Sequence, residues 1–196
     1  MVRRHDAMTA APAMMDESES LLASIRAVRL GDSRAFEMIM LATERRIATL
    51  AWHILGDAEE VKEALQETFI RLFRHLRRYD ESRDFFGWLF RIAVNVCRDR
   101  QRRRRRRWFF FLPIEEAKDV AAEVPVDLRD EVALLGAAID SLPEKERLAI
   151  ILRDVEELPT EEVAAILGNR PATVRVQVSN ARAKVRRWLE AKGVRR

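Results

Sequence analysis

TEEVAAILGNRPATVRVQVSNARAKVRRWL (Thr160–Leu189) reads as a short helix, a glycine turn and a longer helix. Thr160 suits an N-cap, and Val163, Ala164 and Leu167 share one face of the first segment. Gly168 and Asn169 supply the turn, and Pro171 suits the opening of the second helix. There Val174, Val178, Ala181, Val185, Trp188 and Leu189 recur at helical spacing. This order predicts a helix-turn-helix. In that motif the second helix enters the major groove, and its N-terminal half meets base edges. Off the apolar stripe stand Thr173, Arg175, Val176, Gln177, Ser179, Asn180 and Arg182. Arg, Gln and Asn can pair bidentately with bases. Arg182, Lys184, Arg186 and Arg187 suit phosphates, which position without specifying. The bland alternative is a helical hairpin with a solvated basic face. Turn, caps, stripe and charge together favour the DNA-reading one.

Working outward, Leu128, Val132, Leu135 and Ile139 predict one more helix. Pro143 suits the first turn of the next, where Leu148, Ile151, Leu152 and Val155 face the core. Residues 127–196 therefore make one helical domain. Residues 108–126 hold Pro113 and Pro125 and are expected to be a linker. Its opening WFFFL (Trp108–Leu112) is apolar, and either packs back or docks on a partner. Residues 16–107 make a second helical domain. Its first helix buries Leu21, Leu22, Ile25 and Val28, its second runs from about Ser33 to Leu55, and Gly56 and Asp57 stop and restart the chain. Its third turns Val61, Leu65, Phe69, Leu72, Phe73 and Leu76 inward. A polar loop, Asp80–Asp84, precedes a fourth that buries Phe85, Leu89, Ile92, Ala93 and Val96. Residues 1–15 lack periodicity and are expected to be mobile. No strand pattern competes. The fold class is all-α: two small helical domains joined by a flexible linker, the C-terminal one a helix-turn-helix.

The net charge of +4 over 196 residues hides a strong pattern. Residues 1–70 carry −4, 71–107 carry +10, 108–170 carry −9 and 171–196 carry +7. Basic blocks bind polyanions by releasing counterions. Solvated faces are the usual account of charge runs. Six consecutive arginines, Arg102–Arg107, fit that account poorly, because such a run repels itself unless an anion neutralises it. An Arg run binds DNA, RNA, a membrane surface or an acidic partner, and does not name its ligand.

The fourth helix of the N-terminal domain adds a second constellation. Trp88, Arg91, Asn95, Arg98 and Arg102 fall at spacings of three and four, forming one stripe beside the apolar face. An indole, an amide and a row of guanidinium groups serve nucleic acid whose bases are unstacked. A core tryptophan and a surface amide are the bland readings of Trp88 and Asn95.

These residues resemble the extracytoplasmic-function (ECF) group of bacterial RNA polymerase sigma factors. The resemblance lies in RLGDSRAF (Arg29–Phe36), in LGDAEEVKEALQETFIRLFRHLRRYDESRDFFGWLFRIAVNVCRDRQRR (Leu55–Arg103) and in the segment Ser141–Leu189, which opens SLPEKERLAIILRD. It implies a promoter-specificity subunit that binds core RNA polymerase and helps open promoter DNA. It implies that Glu63, Gln66, Glu67, Phe69 and Arg71 dock on the clamp helices of the polymerase's largest subunit. Asp84, Phe85, Phe86, Trp88, Arg91, Asn95, Arg98 and Arg102 would recognise the minus-ten element, capturing a flipped non-template base. Thr173, Arg175, Val176, Gln177, Ser179, Asn180, Arg182 and Lys184 would read the minus-thirty-five element as duplex. An anti-sigma partner and a cytoplasmic location are also implied. Gln177, Asn180 and Val176 stand where many members have two Arg and a Ser, which leaves the promoter sequence open. The Arg102–Arg107 run is not a general feature of the group.

Other function classes fit less well. A stand-alone DNA-binding regulator would need a ligand pocket or phospho-acceptor domain, and the N-terminal half offers a strand-binding stripe instead. No glycine-rich phosphate loop, Ser/His/Asp set or metal-ligand cluster is present, so neither an enzyme nor a cofactor is expected. Three scattered histidines and one cysteine, Cys97, argue against a metal site and a disulfide framework. Cys97, beside Arg98, is either a small core residue or a redox switch. No apolar run reaches the ~20 residues of a membrane span, and no secretory signal is visible.

Overall fold

The computed structural model describes residues 10–111 and 131–193. Four helices build the N-terminal unit: α1 (Ala10–Arg29), α2 (Ala35–Leu55), α3 (Ala58–His75) and α4 (Phe85–Phe111), with a 3₁₀ turn at Leu76–Arg78. The C-terminal unit contains α5 (Glu131–Asp140), α6 (Glu144–Ile150), a π-helical turn at Ile151–Val155, α7 (Thr160–Leu167) and α8 (Pro171–Ala191). All regular structure among the described residues is helical.

Local chemistry sets the boundaries. Gly56 adopts φ 64° and closes α2, its N–H donating to the Trp52 carbonyl. A left-handed residue there costs glycine no Cβ clash. The Asp57 carboxylate then accepts the Glu60 N–H at 2.9 Å and starts α3, whose first turn adds Glu59 and Glu60 against the positive helix end. Asp84 does the same for α4, accepting the Gly87 N–H at 2.6 Å. Two threonines are buried on α2 and α3, and each satisfies its hydroxyl within its own helix: Thr43 on the Ile39 carbonyl, Thr68 on that of Ala64.

Several expectations are corrected. α1 begins at Ala10, inside the segment expected to be mobile; residues 1–9 lie outside the described residues. Alanine and methionine favour helix without giving a polar–apolar contrast. α4 runs through Trp108–Phe111, so the expected linker starts inside a helix. From Trp88 to Phe111 the sequence holds no glycine or proline to stop the helix. The rest of the linker, and Leu128, lie outside the described residues. On α5 it is Leu134, not Leu135, that is buried. Phe73 and Val155 are about half exposed rather than inward. Thr160 is the first residue of α7 and caps nothing; Pro159 precedes it.

α4 is the spine of the molecule. It packs on α2 and α3 within its own unit, and α7 packs on it from the other; α6 also meets α2. Six residues of α4, Leu89, Phe90, Ala93, Val94, Val96 and Cys97, are at most 1% exposed because the helix is covered from more than one side. One apolar cluster runs through both units, from Leu21 to Val185. Burying large aliphatic side chains contributes about 1.5–3 kcal/mol each.

Candidate nucleic-acid and polymerase interfaces

The helix-turn-helix forms as expected. Gly168 takes φ 71° in the turn, and Val174, Val178, Ala181 and Val185 bury the inner face of α8. Thr173, Arg175, Val176, Ser179, Asn180 and Arg182 are exposed on its outer face. Gln177 is half-buried and meets the Asn169 amide at 3.3 Å. Lys184 pairs with Glu146 at 2.7 Å. Arg182 binds Asp154 through two nitrogens, at 2.7 and 2.8 Å, and Arg175 lies 3.4 Å from Glu161. A groove of about 480 Å³ follows, lined by Arg153, Thr160, Arg175, Ser179, Arg182 and Arg186. Four guanidinium groups around one open groove suit a phosphate backbone, with the surface carboxylates as exchangeable partners.

The α4 stripe is assembled at one edge of the N-terminal unit. Arg91 and Asn95 are exposed. Trp88 is half-buried, its ring 5.1 Å from Tyr79 and 6.1 Å from Phe85. Tyr79 donates its hydroxyl to the Arg83 carbonyl at 2.6 Å, pinning the loop before α4. Phe85 is buried and packs on both of these rings. Asp84 is spent on the α4 cap. Arg102 is exposed and lies 3.8 Å from Asp99.

The proposed docking residues lie along α3. Glu63 and Gln66 are exposed, Glu67 pairs with Arg71 at 2.7 Å, and Phe69 is buried. Ile70 and Phe73, both about half exposed, extend this face with an apolar patch that sequence reading missed. Phe73 packs edge-on to Phe36 at 5.0 Å.

Sequence reading also missed the contact between the units. The π-helical turn and Glu157, at φ 56°, swing Glu156 against α2, where Arg46 pairs with it at 2.5 Å. The same guanidinium stacks 3.6 Å above the Phe86 ring. The Glu156 side chain is 7% exposed, and burial pushes its carboxyl above the ordinary range although Arg46 pulls it down. His53 meets Asp140 at 2.6 Å, and Arg98 donates to the Leu167 carbonyl at 3.5 Å. Glu162 of α7 lies directly over Gly87, in the space a Cβ there would need. Phe86, Gly87 and Arg98 are thus covered by the C-terminal unit. No signal for this existed in the sequence, since ion pairs over a separation of 110 residues have no period.

The chain is 31% identical to the RNA polymerase sigma-H factor of Pseudomonas aeruginosa over 177 residues, covering 85% of this chain and 92% of that protein. The chain belongs to the ECF sigma factors. The Sigma-70 region 2 description matches residues 39–107, and the Sigma-70, region 4 description matches 133–185. The ECF RNA polymerase sigma factor SigE of Mycolicibacterium smegmatis is 38% identical over 74% of this chain and 57% of its own length. Among solved structures, CnrH in complex with the cytosolic domain of CnrY has a TM-score of 0.61 at 25% identity, covering 88% of this chain and 98% of that one. This sigma factor therefore binds core RNA polymerase and directs it to promoters for initiation. Region 2 matches the unit with the α4 stripe, and region 4 matches the helix-turn-helix unit. Among the described residues there is no cluster fit to hold a metal ion and no helix long and apolar enough to cross a membrane.

Proposed function

We propose that the two units divide promoter recognition by strand state. The observation that carries this is the α4 stripe: exposed Arg91 and Asn95 beside the half-buried Trp88, on a unit separate from the helix-turn-helix. Trp88 offers a ring face on which a base stacks, Asn95 reads an edge, and Arg91, Arg98 and Arg102 follow the backbone of the melted minus-ten strand. Phe86 and Gly87 border the base-capture site. Extruding a base costs a few kcal/mol, a scale that stacking and hydrogen bonds in one pocket return. The outer face of α8 reads the minus-thirty-five duplex, with Arg175, Val176, Ser179 and Asn180 towards bases and Arg182, Lys184 and Arg186 towards phosphates.

The α3 face of Glu63, Gln66, Glu67, Ile70 and Phe73 docks on core polymerase, apolar at its centre and charged at its rim. Phe69 and Arg71 support that face from behind. Nucleotide addition belongs to the polymerase, and this chain contributes no catalytic step and needs no cofactor. It works in the cytoplasm. Regulation by an anti-sigma protein is supported by the likeness to CnrH, which was solved with CnrY bound.

Transcription from a promoter library with purified core polymerase, with and without this chain, tests the reading. The expected result is a set of promoters active only when the chain is added, sharing two elements. Failure to associate with core polymerase, or indifference to unpaired DNA, overturns it.

A further inference from the structure

The arginine run after the stripe has no place in the division of labour above. It is not a tail. α4 continues without a break to Phe111, 27 residues in all, about 40 Å at 1.5 Å per residue. At roughly 100° per residue, Arg102 and Arg106 lie within about 60° of Arg91 around the axis, so they prolong the stripe. Arg103 and Arg106 line a groove of about 490 Å³ with Glu60, Glu63 and Arg100. Those two glutamates are engaged by Arg100, which pairs with Glu60 at 2.7 Å and with Glu63. Arg103, Arg104 and Arg106 are exposed, and none has a carboxylate partner among the described residues.

We propose that Arg103, Arg104 and Arg106 form a phosphate rail for duplex DNA on the upstream side of the minus-ten element. This inference rests on the function proposed above. The direction follows from the chain. The N-terminal end of α4 carries the aromatic groups for melted DNA, and its C-terminal end leads on to the unit that reads the upstream element, so the arginines fall between the two. The arrangement selects duplex. Arginines at neighbouring positions radiate around the helix axis, so a helix lying across a groove reaches phosphates on both of its walls. A single strand follows only one face. The guanidinium fork matches phosphate oxygens, and each of the five residues lining the groove carries a charge.

The test uses the full chain assembled with core polymerase and fluorescent promoter probes carrying a melted minus-ten strand, with or without a duplex upstream arm. The variants are Arg103→Ala/Arg104→Ala/Arg106→Ala and the same three positions changed to Lys. Alanine keeps the helix. Each phosphate contact adds about 0.9 to the slope of log affinity against log salt. On the armed probe the parent should lose ~40-fold more affinity than the alanine variant between 50 and 200 mM salt, for three contacts. The lysine variant should follow the parent. On the armless probe parent and alanine variant should coincide. Equal slopes on the armed probe overturn the rail, as does an equal loss on both probes, which marks a single-strand contact. Weakened association with core polymerase overturns it too, by showing a protein contact. A parent that binds neither polymerase nor promoter takes down the proposed function with it; equal slopes with promoter binding intact remove the rail alone.

Discussion

Asn95 is exposed midway along α4, and among the described residues it makes no side-chain hydrogen bond. Its replacement tests strand recognition without disturbing the core. Asn95→Ala should leave stability within about 0.5 kcal/mol, as exposed substitutions do. It should lower the yield of open complex, read by permanganate reactivity of melted thymines, more than closed-complex affinity. Equal yields for variant and parent would refute the role. Trp88→Ala is a poorer probe, because that ring also packs on Tyr79 and Phe85, and its loss costs fold as well as function. Cys97 resolves in the opposite sense. It is 1% exposed, and burial pushes the thiol up to about 12 although Arg100 pulls it down. The raised value keeps it protonated at neutral pH, and the thiolate is the reactive form. Native chain should therefore resist iodoacetamide, measured by mass spectrometry, and become labelled only on unfolding. Rapid labelling of the folded chain would revive the redox reading.

At the scale of single helices, caps and turns were the legible part. Gly56, Asp57, Gly168 and Pro171 fall where sequence chemistry puts them, because a left-handed residue, a short acceptor and a fixed φ act within one turn of chain. Asp57→Ala should accordingly cost about 1 kcal/mol, seen as a lower midpoint in urea unfolding. The face of each helix was less legible. Leu134 and Leu135 are adjacent, and in a ten-residue helix the apolar period cannot choose between them; packing against α8 does. Val155 lies in the π-helical turn, where the wider winding shifts the phase and carries it outward. Phe73 reads as core by spacing, yet half of it remains open on the face that would meet the polymerase. The stripe on α4 was legible as a row, but only the structure separates Arg91 and Asn95, which are exposed, from Trp88 and Arg98, which are half-buried. On α8 the buried stripe of Val174, Val178, Ala181 and Val185 follows the spacing, while Gln177, expected on the open face, is half-buried against Asn169. Arg175→Ala should weaken binding to the upstream element by about 1–3 kcal/mol at one base position if it pairs with guanine. A uniform loss on all sequences would assign it to a phosphate instead.

The C-terminal unit is folded over the start of α4, where the proposed minus-ten surface begins. α7 lies on α4, Glu162 sits above Gly87, and Arg46 bridges Glu156 to the Phe86 ring. Two elements about 25 base pairs apart stand roughly 80 Å from one another at 3.4 Å per step, so one body with adjoining DNA faces cannot hold both. On the proposed division of the promoter, the units must part to bind it, and the ion pair at Arg46 is a contact that parting would break. Arg46→Ala leaves a buried carboxylate without its partner, which is strongly unfavourable in the closed arrangement. The variant should show a larger radius of gyration by X-ray scattering, and should bind promoter probes better than the parent in the absence of core polymerase. Acidity should act in the other direction. Burial raises Glu156 above its ordinary value of 4.5, and Glu162 shifts the same way, again chiefly by burial. The closed form therefore binds more protons than the open one, in which these carboxylates return to water. Its advantage is complete below the ordinary carboxylate value and fades as pH rises through the raised one. The radius of gyration should thus grow between pH 4.5 and neutrality, and Glu156→Gln, which cannot ionise, should flatten much of that change. A profile that is the same in parent and Glu156→Gln would place the proton uptake elsewhere and remove Glu156 from control of the closure.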